Sequence, residues 1–544
     1  MADMREREQP SPTKATYVGE EKKTFEVDDA RSTISVSAGH ATLPSNLDGT
    51  TDLSFWTAVR TWPFASLWSL MFSSTMILVA YGPAWIAQLF ALPAFTSRFG
   101  FEYGEEYVIS AQWQSALSAC SMLGQLLGAP GIAIMMDKFG RKSAFMFALI
   151  LGAACVFVQF FSSSLSVLVA GTLLVGLSLG CFSVICLTYS MEVAPLQLRG
   201  ILGGLYSFGI ITGPLLSVAV AQATVNMSSA WAYRIGFAIQ WAWPVMLFPL
   251  SLFAPESPVW LIRKGRIAEA GAALARLAVK GYDVRPDLSQ IIIVDREERV
   301  LDKNTSYQEI FKGPNLRRTT IACVCYCTII TTGNALANSS AFYMILGGVD
   351  AKTGFFWSLG CGLAALLGAF ASLGILAKLR RRPIYIWSQL ASAILLFVIG
   401  FVQLAPDYYE KHDAIFGQGA LMVLWNVVYG AAISPISTVI MGEVPSNALR
   451  PKTVAFSTMV QQVMVLLVLV INPYLLNPEF AHLQGYVGFI AGASGLVTTV
   501  WIFFFVPETS LPIQKLDLLF RFEVGTRHFT TYKVAELEGR ASSL

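Results

Sequence analysis

The stretch Tyr189 to Gly200, YSMEVAPLQLRG, decides the fold because it returns in altered form as GEVPSNALRPK at Gly442 to Lys452. Glu192 recurs as Glu443 and Arg199 as Arg450, each 251 positions on (443 − 192 and 450 − 199). Pro255-Glu256-Ser257 recurs as Pro507-Glu508-Thr509, 252 positions on (507 − 255). One carboxylate and one arginine returning at half-chain spacing, each just after an apolar run, imply two copies of a single helical plan.

Composition says where those copies reside. The chain has 544 residues, 54% of them hydrophobic and 13% charged, whereas a soluble protein carries about a quarter charged residues. Ser143 to Phe161 and Val454 to Leu476 hold no charge, and each approaches the ~20 residues needed to cross a bilayer. The chain therefore reads as a protein embedded in lipid, with no catalytic constellation, cofactor motif or nucleic-acid partner expected. All eight cysteines fall inside apolar runs, which argues against a disulfide framework. Cys323-x-Cys325-x-Cys327 has no histidine near it, and on a helix its middle residue faces away from the other two, so no metal is expected.

Twelve spans follow from the apolar runs: Phe64–Leu92, Val108–Met135, Ser143–Ser162, Leu165–Met191, Gly200–Ala223, Ile235–Ala254, Thr319–Leu346, Gly354–Leu376, Pro383–Leu404, Ile415–Met441, Thr453–Leu476 and Tyr486–Val506. The expected fold is an all-α membrane protein of twelve transmembrane helices in two six-helix pseudo-repeats. Residues 1–63 read as a disordered tail, 64–254 and 319–506 as the two bundles, 255–318 as a polar linker and 507–544 as a second tail. Only Arg98, Arg234, Lys352 and Lys411 lie in or beside the loops opposite the termini, leaving 38 − 4 = 34 of the Lys and Arg on the side of the termini. By the positive-inside rule both termini are expected in the cytosol. Asn226-Met227-Ser228 then sits in an outer loop, and Asn226 is a candidate for glycosylation. Ile262 to Leu277 alternates charged and apolar residues, as an amphipathic helix tying the halves together would.

The motifs resemble a known family. Asp137-Lys138-Phe139-Gly140-Arg141-Lys142, YSMEVAPLQLRG, PESPVWLIRKGR at Pro255 to Arg266 and VPET at Val506 to Thr509 are similar to the sugar-porter branch of the major facilitator superfamily. FALPAF at Phe90, WQSAL at Trp113, WAYRIGFAIQWAWPV at Trp231, FKGPNLRRTTIAC at Phe311 and LDLLFRFEV at Leu516 resemble fungal α-glucoside permeases. The resemblance implies the major facilitator fold and alternating access. It further implies a small uncharged, sugar-like solute, a place in the plasma membrane and a monomer.

Two groups of residues carry that expectation. Asp137, Arg141, Glu192, Arg199, Glu256, Arg381, Glu443, Arg450 and Glu508 lie at helix ends on the terminus side. They are expected to gate the pathway, forming ion pairs between the halves when the terminus side is closed and losing them when it opens, each ~1.4 kcal/mol of bias changing the population ratio tenfold. In the second copy Ala377 replaces the acid and Arg380 the glycine, so its pairing should be weaker. Trp85, Gln88, Tyr206, Thr332, Asn334, Asn338, Trp425 and Asn426 are the candidate solute contacts, with Asn334 and Asn338 sharing a helix face beside Gly333.

The chain also departs from the family. None of the twelve spans contains Asp, Glu, Lys, Arg or His, and proton coupling needs a buried titratable group that senses the solute. Gly82 stands where similar permeases place an aspartate, Pro214 where they place a glutamine, and Ile329 with Ile330 where they place a glutamine pair. Facilitated diffusion is therefore expected rather than proton symport. An exporter of a fungal secondary metabolite and a non-transporting nutrient sensor remain the alternatives.

Overall fold

The computed structural model describes residues 55–103, 106–194, 196–304, 306–404, 413–446, 449–481 and 483–510, with short pieces of the C-terminal segment. The N-terminal tail to residue 54 and most of the C-terminal tail lie outside the described residues, as do the side chains of Arg199 and Tyr206.

Among the described residues, ten helical spans are long and apolar enough to cross a membrane. They are Pro63–Leu89, Ala111–Phe139, Arg141–Phe160, Leu165–Val193, Gly313–Asn338, Ala351–Leu376, Arg381–Val402, Asp413–Glu443, Arg450–Leu476 and Gln484–Phe505. The fifth crossing is the helix Leu196–Thr224. The sixth is split into Trp231–Ile239 and Ala242–Ser251. That break falls at Gln240-Trp241, just ahead of Pro244, which has no backbone N–H to give. Twelve crossings in two sets of six result.

Three features go beyond the sequence reading. The loop after the first span holds a small antiparallel hairpin, Phe101–Tyr103 with Glu106–Val108, in which Glu102 faces Tyr107. The seventh span begins at Gly313 rather than Thr319, because Pro314 suits a helix's first turn, so Arg317 and Arg318 are helical. Gly213-Pro214 does not end the fifth helix, which runs on to Thr224. Instead a Cβ at Gly213 would lie 2.6 Å from the Ile77 carbonyl oxygen, so that glycine lets the fifth span press on the first.

Close approach also joins the second and fourth spans. A Cβ at Gly124 or Gly128 would overlap the carbonyl oxygens of Leu173 or Leu177, and one at Gly176 or Gly180 those of Ser121 or Gln125. Two Gly-x-x-x-Gly pairs thus let backbone meet backbone, the usual means of association where lipid tails are as apolar as leucine. In the second half Gly368 meets Val427 and Gly430 meets Ala365 between the eighth and tenth spans, the positions equivalent by duplication.

The linker bridges the two sets. Its helices Pro258–Arg263 and Ile267–Leu277 dock on the first half, where Trp260 Nε1 donates to the Asp137 carbonyl at 3.1 Å and Val279 N to that of Thr61 at 2.9 Å. Its closing turn Tyr307–Phe311 docks on the second half, where Thr319 Oγ1 donates to the Ile310 carbonyl at 2.9 Å and Phe311 meets Phe456 edge-on.

The core shows how the halves stand. On the side opposite the termini, one buried apolar cluster runs through both, from Tyr81, Trp85 and Phe95 to Leu336, Trp425 and Leu476. On the terminus side it divides. One cluster, including Phe72, Phe145 and Tyr189, belongs to the first half and the linker, and another, including Ile321, Tyr385, Ile436 and Phe520, to the second. The molecule is sealed at one face.

Candidate functional site

The seventh span is interrupted in its middle. Its helix ends at Thr331, Thr332 Oγ1 turns back to the Thr328 carbonyl at 2.7 Å, and Gly333 takes a φ of 99°. That left-handed conformation costs glycine nothing and other residues considerably more. Asn334–Asn338 then forms one short turn before Ser340–Leu346 completes the crossing. A side chain at Gly333 would meet Leu396 at 2.9 Å and the Trp425 ring at 3.4 Å, so Trp425 lies against the break.

Trp425 is held firmly there. Its Nε1 donates to Ser392 Oγ at 2.6 Å and its ring stacks on Tyr429 at 4.9 Å. Tyr429 opens a π-helical turn, Tyr429–Ile433, and its hydroxyl donates to the Ile329 carbonyl at 3.0 Å. Broken backbone in the seventh span therefore meets irregular backbone in the tenth, with an aromatic pair between them. Asn334 on the same break is half-buried and Asn338 exposed. Asn426 turns away, its Nδ2 donating to its own helix at Met422 at 2.9 Å. Such a place brings an aromatic pair and two amides to a break in the backbone, which suits a neutral polar solute.

The first-half candidates are placed differently. Trp85 has no exposed surface, lies against Gly236 and runs parallel to Tyr81 at 6.2 Å. It faces the sixth span within its own bundle, with Nε1 buried and unpartnered among the described residues, and Gln88 is buried in the same half. The large ring fills the volume that Gly236 vacates.

Several buried polar residues on spans three, four, six, seven, nine and ten escaped the sequence reading. Gln159 Nε2 donates to Thr172 Oγ1 at 3.3 Å, and Gln240 Nε2 to Gln159 Oε1 at 3.5 Å. A Cβ at Gly82 would lie 3.8 Å from Gln240 Oε1, so the place where similar permeases carry an acid adjoins an amide. In the second half Thr328 Oγ1, the Tyr385 hydroxyl and Ser437 Oγ lie within 2.6 to 3.1 Å of one another, fully buried. A polar residue spaced at a helical turn from apolar neighbours was the available signal.

The charged motifs form two matching clusters. Arg141 bonds both oxygens of Glu192, at 2.9 and 2.7 Å, approaches Asp137 at 3.6 Å and donates to the Met136 carbonyl. Glu256 accepts the backbone N–H groups of Arg141 and Lys142 at 2.8 and 3.2 Å. Burial holds its carboxyl above the ordinary range, although those N–H groups pull the other way. The second half repeats the plan: Arg381 pairs with Glu443, and Glu508 accepts the N–H groups of Arg381 and Arg382 at 3.2 and 3.3 Å. No acid corresponds to Asp137, as the Ala377 replacement foretold.

The pairs seen lie within each half; the expected pairs between halves belong to a closed terminus side, and here the core is divided on that side. The carboxylates sit one helix end away from their arginines inside the same bundle, and in the first half the pairing of Arg141 with Glu192 is bidentate. Arg450 belongs to neither cluster, since its Nε and Nη2 are buried without a hydrogen-bond partner among the described residues.

Comparison with known proteins agrees with this geometry. The family model described as "Sugar (and other) transporter" matches residues 68–517. The chain belongs to that sugar transporter family. The transporter is 31% identical over 489 residues to a maltose permease of Saccharomyces cerevisiae, covering 88% of this chain and 79% of that one. It is 30% identical over 484 residues to the general alpha-glucoside permease of the same yeast, covering 87% and 78%. In fold the transporter is similar to the inward-open xylose transporter XylE of E. coli, with a TM-score of 0.67, 19% identity and coverage of 84% of this chain and 99% of that one. It is a multi-pass membrane transporter of the major facilitator type and not an enzyme.

Proposed function

We propose that the transporter carries a neutral, polyhydroxylated solute of the α-glucoside or hexose class by alternating access, without proton coupling. The observation that carries the uncoupled reading is positional. Every Asp, Glu, Lys and Arg in the described spans sits near a helix end, as Arg141, Glu192, Arg318, Arg381, Glu443 and Arg450 do. Among the described residues, solute binding has no charged group in the middle of a span to influence.

The terminus side is the cytosolic one in this reading, supported by the 34 Lys and Arg gathered there, and the divided core is then an inward-open arrangement in the plasma membrane. Trp425, Thr332, Asn334 and Asn338 are the solute contacts; Asn426, turned toward its own helix, is the least favoured of the second-half candidates. The two charge clusters keep each bundle rigid while the bundles rock. Asn226, exposed in the loop after the fifth span, is the glycan acceptor.

The test is uptake of labelled maltose and glucose at pH 5 and pH 7.5 by cells lacking their own sugar carriers. Saturable uptake indifferent to pH is expected. Uptake that collapses when the proton gradient is dissipated at constant membrane voltage would overturn the uncoupled reading. A surface-located protein that moves neither sugar would favour a less polar cargo, in keeping with Ile329 and Ile330.

A further inference from the structure

Among the described residues, hydrogen bonds join the halves on the face opposite the termini. Asn477, fully buried at the end of the eleventh span, donates Nδ2 to the Ile109 carbonyl at 2.7 Å across the divide. Its Oδ1 accepts the Glu479 backbone N–H at 3.0 Å and its own N–H goes to the Pro473 carbonyl at 2.8 Å, so the amide is fixed in place. Glu479 Oε2 accepts the Ala111 N–H at 3.3 Å, at the positive end of the second span's dipole. One turn further in, Ser115 Oγ donates to the Val470 carbonyl at 2.8 Å.

We propose that Asn477, Glu479 and Ser115 form the latch that holds this mouth of the transporter shut, and that its release admits solute from that face. The proposal rests on the transporter reading but not on any particular solute. The charge clusters on the other face are satisfied within each half, so the force that keeps the halves together here is supplied by this small polar set above the shared apolar core. Its composition suits a reversible gate. Each bond joins a side chain to a backbone group, and those to Ile109 and Ala111 lie at the end of a helix, where water can replace the partner once the halves separate. A bond deeper in the core would have no such substitute.

Labelling from either face of the membrane tests the latch without a solute. Ala119 is half-buried and lies one helical turn below Ser115 on the same face, so an Ala119→Cys reporter sits just under the seal. The full-length reporter protein, in sealed cells, is treated outside with a membrane-impermeant maleimide, and the rate is read per surface molecule at residue 119 by peptide mass spectrometry. The chain without the reporter corrects for Cys120. Asn477→Ala is expected to raise the rate about tenfold, equivalent to about 1.4 kcal/mol of bias. Glu479→Gln, an exposed and conservative change, is expected to raise it about threefold. Ser115→Ala is expected to move the same way and Ser115→Thr, which keeps the hydroxyl, to restore the parent rate. Unchanged labelling in Asn477→Ala and Glu479→Gln would overturn the latch. Faster labelling only from the terminus face would overturn it too, since the seal would then lie elsewhere.

Discussion

Arg141 shows how much one side chain can hold. It is 3% exposed, bonds Glu192 twice, approaches Asp137 and caps the Met136 carbonyl. Removing one partner of such a buried pair leaves a charge without compensation and costs about 3–5 kcal/mol. Glu192→Ala is accordingly expected to lower the unfolding temperature in detergent sharply, with Glu192→Gln in between, and equal temperatures for the parent and both variants would show the pair to be ornamental. Glu256 gives a prediction of opposite character. Its carboxyl titrates above the ordinary 4.5 because burial outweighs the N–H groups of Ser257, Arg141 and Lys142. A carboxyl raised in the folded state contributes stability that is full below its unfolded value and lost as pH rises through the folded one. Lowering the pH from 7 toward 5 is expected to raise the unfolding temperature more for the parent than for Glu256→Gln. Parallel curves would mean that burial is not the dominant influence.

At the scale of elements, the pairing of the second and fourth spans depends on four glycines that allow carbonyl oxygens into van der Waals contact with Cα atoms. Forcing side chains into a filled interface costs about 1–3 kcal/mol each. Gly124→Val and Gly176→Val are expected to reduce the amount of folded protein at the surface and to lower thermal stability by that order, whereas Gly131→Ala, with open space around its Cβ, should be neutral. A neutral result for all three would dissociate the Gly-x-x-x-Gly pairs from helix packing. The pairs were visible in the sequence, and their partner was not: a spacing of four names a helix face without saying which helix it meets. The break at Gly333 and the π turn at Tyr429 belong to the same scale. Gly333 was legible as a break, while the π turn comes from how the tenth span packs against the eighth.

For the whole molecule, the proposed uncoupled transport rests on what the spans lack, and one substitution supplies a titratable group. A Cβ at Gly82 meets Leu179 Cδ1 at 2.8 Å, the movable tip of a flexible side chain, and faces Gln240 Oε1. Gly82→Asp is therefore expected to be tolerated and to place a titratable carboxyl beside an amide inside the first half. Uptake by that variant is expected to become faster at pH 5 than at pH 7.5 while the parent stays flat. A flat profile in the variant would mean that a titratable group there does not sense the solute site.

Some of this was determined by the sequence alone. The twelve crossings, the duplication through Glu192 and Glu443, and the family itself were readable because hydropathy and repeat spacing are local properties that the bilayer enforces on any chain. Glu256 and Glu508 were rightly placed at helix ends for the same reason. The partner of each charge was decided only by the tertiary structure. Arg141 reaches Glu192 in its own half because two helix ends of one bundle lie side by side, which no spacing along the chain specifies. Trp85 turns to Gly236, and Asn477 reaches Ile109 across the halves, because side-chain direction depends on how the bundles pack. The latch and the stacked pair at Trp425 are products of that packing.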